Sequence, residues 1–200
     1  MGYSRAGFYV VGVDINKQPH YCGDEFHQAD AMTYSLDGFD VIHASPPCTG
    51  FSVASIVHRN KGKEYPDLLT PIRIRLKQSG AIYIIENVPG ATIDPILTLC
   101  GLMFGLKVFR HRHFECSEMI MSIEHPSHSG KRIGEGYFSV AGGAGRWKTW
   151  GTVKRNISKG TADEWRNAMG ISWMTRNEIK LAIPPAYTEW IGKQLIGRLK

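Results

Sequence analysis

Phe39-Asp40-Val41-Ile42-His43-Ala44-Ser45-Pro46-Pro47-Cys48 runs from a short apolar stretch straight into two prolines and a thiol. An apolar run of this length bounded by turn residues reads as a buried strand. In an open α/β sheet, chemistry gathers beyond the carboxyl ends of such strands. Proline holds φ near about −65° and offers no backbone N–H, so Pro46 and Pro47 keep the turn out of both helix and ladder. Cys48 is therefore presented with little conformational freedom. Two readings stay open at this point, a held nucleophile or a small buried hydrophobe.

The residues around it favour the nucleophile. Ala81-Ile82-Tyr83-Ile84-Ile85 is a second strand-like run, and it ends in Glu86-Asn87-Val88-Pro89-Gly90. Parallel neighbouring strands would bring Cys48 and Glu86 to one cleft. Further on, Arg110-His111-Arg112-His113-Phe114-Glu115 alternates at strand period, which would put Arg110 and Arg112 on one face. Two guanidiniums there suit an anionic or carbonyl-bearing ligand. This order of Pro-Pro-Cys, Glu-Asn-Val and Arg-x-Arg resembles the DNA cytosine-5 methyltransferase family.

The resemblance covers most of the chain. Ala6-Gly7-Phe8-Tyr9-Val10-Val11-Gly12-Val13-Asp14 is similar to the family's first helix end and second strand, and Gln28-Ala29-Asp30-Ala31 to the segment after its third. The implied cofactor is S-adenosyl-L-methionine, held by Asp14, Ile15, Asp30, Ala31 and Pro46. Ile183 to Gly192 looks like the family's last motif, a helix that completes the pocket wall. The implied fold is α/β, a Rossmann-like methyltransferase sheet with a small irregular insertion. The implied catalytic set is Cys48, Glu86, Arg110 and Arg112.

Cytosine C5 is a poor nucleophile, so a thiolate must first add to C6 and push electron density onto C5. A free thiol of pKa about 8.5 is only a few per cent ionised at neutral pH, and a cation such as Arg112 nearby raises that fraction. Glu86, carrying a proton in an enclosed site, would donate toward N3 and accept from the exocyclic amine. No base for the C5 proton stands out, which leaves a water for that step. The target base must leave the duplex stack, so DNA has to be held. Ser45, Pro47, Asn87, Val88, Lys131, Arg132, Arg146 and Lys148 are the expected substrate contacts.

Lys107 to Arg166 carries eleven Lys or Arg against six Asp or Glu, so most of the chain's net charge of +6 sits there. Lys154, Arg155 and Lys159 also fall in it, interleaved with Tyr137, Phe138, Trp147 and Trp150, a mixture suited to phosphates and bases. A solvated basic surface is the alternative. Gly142-Gly143-Ala144-Gly145 lacks the Lys-Ser or Lys-Thr of a phosphate loop and reads as a DNA-facing loop. His58 to Tyr65 is either a loop that folds over the flipped base or a plain surface loop. The expected division is residues 1–106 as catalytic core, 107–160 as basic recognition region and 161–200 as helices returning to the core.

At 200 residues and 42% hydrophobic, the chain can bury a proper core. No apolar run is long enough to span a membrane and no signal pattern opens the chain, so a cytoplasmic protein of a bacterium or phage-infected host is expected, a monomer without membrane or metal partners. A cognate restriction nuclease is a candidate partner. Cys22, Cys48, Cys100 and Cys116 contain no C-x-x-C pair, which argues against a four-cysteine zinc site and makes all but Cys48 bystanders. Local patterns predict strands at Tyr9–Asp14, near Phe26, at Asp40–Ala44 and Ala81–Ile85, and helices to Ala6, over Pro66–Gln78 and over Pro95–Phe104. The alternation makes the sheet parallel. A further helix starts at Thr161-Ala162-Asp163-Glu164, a possible cap.

The chain departs from the family in three places. It begins at Met1-Gly2-Tyr3-Ser4, inside the helix that follows the family's first strand and glycine-rich cofactor loop. Either that strand lies upstream, or its two neighbours pair directly and the cofactor site is degraded. Thr49 and Val108 stand where the family usually has Gln. Two other functions fit the same residues: a non-catalytic DNA-binding relative, and a cytosine-5 methyltransferase acting on transfer RNA.

Overall fold

The computed structural model describes residues 1–48, 66–140 and 160–199. They divide into two compact units. The first comprises Met1–Thr98, Arg112–Ser122 and Thr188–Lys200, and the second Leu99–His111 and Ile123–Tyr187. The expected loops at His58–Tyr65 and Gly142–Gly145, and Thr49, Arg146, Lys148, Lys154, Arg155 and Lys159, lie outside the described residues. No helix among the described residues is long and apolar enough to cross a membrane.

In the first unit, helix α1 (Gly2–Ala6) leads to strands β1 (Val11–Asp14) and β2 (Glu25–Gln28), which pair in parallel. Strand β3 (Val41–Ala44), helix α2 (Leu69–Ser79) and strand β4 (Ile82–Asn87) follow. Asp67 starts α2 by accepting the Leu69 and Thr70 N–H groups, and Gly80 ends it at φ 73°, a conformation that glycine adopts without a Cβ penalty. The spacing of Leu69, Ile72 and Leu76 puts them on one face of the helix, and they pack with Tyr83, Ile85, Ile42 and Ala44 of the sheet. The parallel β3–β4 register, with Ala44 opposite Ile85, sends both chains out at the same end of the sheet.

The main sheet departs from expectation at one point. The order β3-β4-β6-β5 forms one sheet, with β6 (Arg112–Cys116) antiparallel to β4, so the sheet is mixed rather than parallel. Pro95–Phe104, expected as a helix, instead forms strand β5 (Leu97–Leu99) and a single 3-10 turn (Gly101–Phe104). Leu97 and Leu99 are buried on either side of Thr98, a period-two pattern. Of the two alternatives left open for the neighbours of the family's first strand, direct pairing of β1 with β3 is not found among the described residues. The pair β1–β2 is a separate sheet, and a cavity of about 620 Å³ has Val11 and Val13 on one wall and Val41, Ile42, His43 and Ala44 on the other. A shared ladder would need the two strands about 4.8 Å apart.

Helix α5 (Pro185–Leu195) brings Gly192 against α1, where an added Cβ would lie 2.8 Å from that of Ala6, so only glycine fits. In the second unit, helix α3 (Ala162–Met169) begins at the expected cap. Thr161 accepts the Glu164 N–H while the Glu164 carboxylate accepts that of Thr161. Thr175 and Glu178 repeat the device at helix α4 (Arg176–Ile179). Trp165, Met169, Ile171 and Ile179 form this unit's core with Val108 and Val140.

Register places Tyr83, Ile85, Asn87 and Glu115 on the α2 face of the sheet, and Ile84, Glu86, Arg112 and Phe114 on the other. On the α2 face, Arg73 binds both Glu115 oxygens with Nε and one with Nη2, at 2.9 to 3.1 Å. Asp94 N–H also donates to Glu115, and Arg73 reaches the Thr92 carbonyl. Removing one member of a buried pair strands the other charge. Glu115→Gln should therefore cost about 3 kcal/mol in urea unfolding, the low end for such pairs because Arg73 reaches solvent; a loss below ~0.5 kcal/mol would contradict this.

Candidate active site

The site is assembled at the carboxyl ends of β3 and β4. Cys48 follows β3 by four residues and is partly exposed, with a free thiol. Two prolines leave its turn short of N–H donors, so the turn needs a donor from elsewhere. Asn87, 2% exposed, supplies it: its Nδ2 donates to the Pro46 carbonyl at 3.1 Å. Its Oδ1 accepts the Val88 N–H at 2.9 Å, which fixes the amide's orientation. Asn87 thereby ties the thiol's turn to the end of β4.

Glu86 precedes Asn87 and points to the opposite face, where Arg112 Nε lies 2.7 Å from its Oε1. Both side chains are largely buried, and a charge-assisted bond of this length holds each in place. Asn87 and Glu86 thus anchor two groups from one strand end, a turn carbonyl and a guanidinium. Arg110 does not share a strand face with Arg112, because β6 begins at Arg112. Arg110 belongs to the second unit, where its buried guanidinium donates to the backbone carbonyls of Val140 and Lys180 and its own carbonyl accepts the Tyr187 hydroxyl. Lys131 and Arg132 are in that unit too; Lys131 donates to the Ser127 carbonyl and Arg132 reaches Glu135 at 3.7 Å.

The cavity beside β3 belongs to the first unit. Asp14, Ile15, Asp30, Ala31, Ser45, Pro46 and Pro47 line it, so every residue expected at the cofactor shares one wall system. Asp14 ends β1, with Oδ1 accepting the Asn16 N–H at 2.7 Å and Oδ2 the Gln18 amide at 3.0 Å. Asp30 accepts the Met32 N–H at 2.8 Å. A carboxylate has about four acceptor sites, so both retain capacity for a hydroxyl-bearing ligand. The volume lies within the usual range of about 300 to 1,000 Å³ for small-ligand pockets. Two acids over an apolar wall of Met32, Leu36 and Pro46 suit a ribose and a cationic sulfonium, so the residues present fit S-adenosylmethionine.

His43 is a site residue that the sequence reading passed over, although it is a lone polar residue inside an apolar strand. Tyr3 Oη lies 2.6 Å from its Nδ1 and Ser45 Oγ 3.2 Å from its Nε2, and its ring meets that of Phe114 edge-on. Burial pushes the Tyr3 phenol up, so it stays an O–H donor, and pulls His43 from 6.5 down to about 4. The neutral ring then accepts at Nδ1 and donates to Ser45 from Nε2.

Solved structures with a similar fold include the methyltransferase EhMeth of Entamoeba histolytica, at 13% identity and a TM-score of 0.58, covering 100% of this chain and 94% of that one. Another is an E. coli prophage-encoded protein provisionally assigned as a DNA modification methyltransferase, at 15% identity and a TM-score of 0.60, covering 99% and 95%. The chain has the Rossmann-like fold of these methyltransferases. At such identities the likeness is one of fold. No family model and no curated protein matches the chain.

A half-buried histidine held neutral makes stability depend on pH. Below pH 6.5 the unfolded chain takes up a proton that the folded one refuses until about pH 4, so His43 lowers stability as pH falls through that window. Comparing urea midpoints of wild type and His43→Gln from pH 7.5 to 4, the decline should be shallower in the variant by roughly one proton's slope. Parallel curves would contradict the assignment.

Proposed function

We propose that the chain transfers a methyl group from S-adenosylmethionine to C5 of cytosine in duplex DNA through a covalent bond from Cys48. The observation that carries this reading is the Asn87–Pro46 bond, which couples the thiol's turn to the strand that bears Glu86. A thiol alone is a weak signal, whereas a thiol tied to a carboxylate–guanidinium pair matches what addition to a pyrimidine needs.

Cys48 as thiolate attacks C6 of the extruded base, forming a C–S bond while the 5,6 double-bond pair moves onto the ring. Glu86, an acceptor from Arg112 in the free protein, takes up a proton and donates it toward N3, neutralising the charge that builds there. Arg112 stays beside both as a cation. Asp14, Asp30 and Pro46 would hold S-adenosylmethionine, whose sulfonium would supply an electrophilic methyl for C5, its S–CH3 pair staying on the departing thioether. A water then removes the C5 proton, its bonding pair re-forms the double bond, Cys48 leaves as thiolate, and N3 returns its proton to Glu86. Lys131 and Arg132, with Arg146 and Lys148, neutralise phosphates while extrusion of the base costs a few kcal/mol.

Labelled methyl transfer to DNA tests the reading. Cys48→Ser should fall to background, and Glu86→Gln should lose on the order of 100-fold or more in rate. Full activity in Cys48→Ser would contradict the nucleophile, and preference for transfer RNA over duplex DNA in competition would contradict the substrate.

A further inference from the structure

Cys100, His111, His125 and His128 come together in the second unit, with one donor atom from each within 4.8 Å of all the others. Cys100 Sγ is 3.5 Å from His128 Nε2, and His111 Nε2 is 3.1 Å from His125 Nε2. The three imidazole centroids lie 5.0 to 5.2 Å apart. We infer that these four residues form a structural zinc site. The expectation of a protein without metal rested on cysteine pairs, and three of these ligands are histidines.

Donor spacing is the first argument. Tetrahedral zinc with Zn–N of about 2.05 Å and Zn–S of about 2.3 Å sets N···N edges near ~3.3 Å and S···N edges near ~3.6 Å. The Cys100–His128 and His111–His125 pairs stand close to these separations. Chemistry is the second. The set holds no carboxylate, and three imidazoles with one thiolate select zinc over calcium or magnesium. Cys100 is buried, and a bound cation would offset the cost of a thiolate there. His125 is exposed, which leaves a path for the ion.

The fold gives such a site a purpose. In Ile123–Val140 the described backbone pairing consists of isolated bridges, Val108 with Phe138 and Ile133 with Tyr137, and loop-rich units of this size lean on metal or disulfide staples. A zinc ion would join Cys100 and His111 to the His125-Pro126-Ser127-His128 loop.

The test uses the full chain purified without a histidine tag. Metal analysis should find one zinc per chain, and chelation should lower the thermal midpoint, with zinc restoring it. Cobalt substitution should give intense tetrahedral visible bands and a thiolate-to-cobalt charge-transfer band that disappears in Cys100→Ser. His125→Gln changes an exposed side chain, keeps the fold and should weaken zinc by about 100-fold or more, at least the loss seen for outer-shell partners. Substoichiometric zinc, or cobalt binding that lacks the thiolate band and ignores both substitutions, would overturn the proposal.

Discussion

Asn87 spans 3.1 Å to the Pro46 carbonyl, and the placement of the thiol depends on that bond. A Pro-Pro turn has stiff φ angles but too few N–H groups to close on itself, so its carbonyls must find donors elsewhere. The parallel register of β3 and β4 brings such a donor within reach, since Ala44 and Ile85 are partners and the following residues leave the sheet side by side. A buried amide whose oxygen is already occupied by the Val88 N–H has one orientation left to it. Rigidity at Cys48 thus comes from two sources, covalent in the prolines and non-covalent in Asn87.

Two ion pairs lie on opposite faces of the antiparallel β4–β6 ladder, and they do different things. Arg73–Glu115 is surrounded by further donors and acceptors, including Asp94 N–H and the Thr92 carbonyl, so its buried charges are well satisfied. It fixes α2 to the sheet. Arg112–Glu86 lies at the strand end, next in sequence to the amide that holds the thiol's turn. Alternation along β4 permits both roles, because Glu86 and Asn87 face opposite ways and serve different partners.

The strand ends were legible in the sequence because apolar runs stopping at Pro, Glu and Asn leave few alternatives. Asp14, Cys48 and Glu86 each follow or close such a run. The Thr161 cap was legible for a similar reason, a Thr three residues before Glu. Pro95–Phe104 was misread because Ile96, Leu97 and Leu99 satisfy helical and strand spacing alike, and only the burial of alternate residues separates them. Arg110 and Arg112 alternate correctly, but periodicity does not say where a strand begins. The cluster around Cys100 escaped notice because its ligands are spread over 29 residues and converge only through tertiary folding. His43 escaped because its partner Tyr3 is forty positions away.

The central claim is that Cys48 adds to a pyrimidine ring, and covalent trapping tests it most directly. Duplex DNA containing 5-fluorocytosine, incubated with the full chain and S-adenosylmethionine, has no C5 proton to lose, so the C–S bond cannot be released. Peptide mapping should find the DNA adduct on Cys48. Absence of any adduct on that residue, in a preparation that binds both DNA and S-adenosylmethionine, would contradict the account.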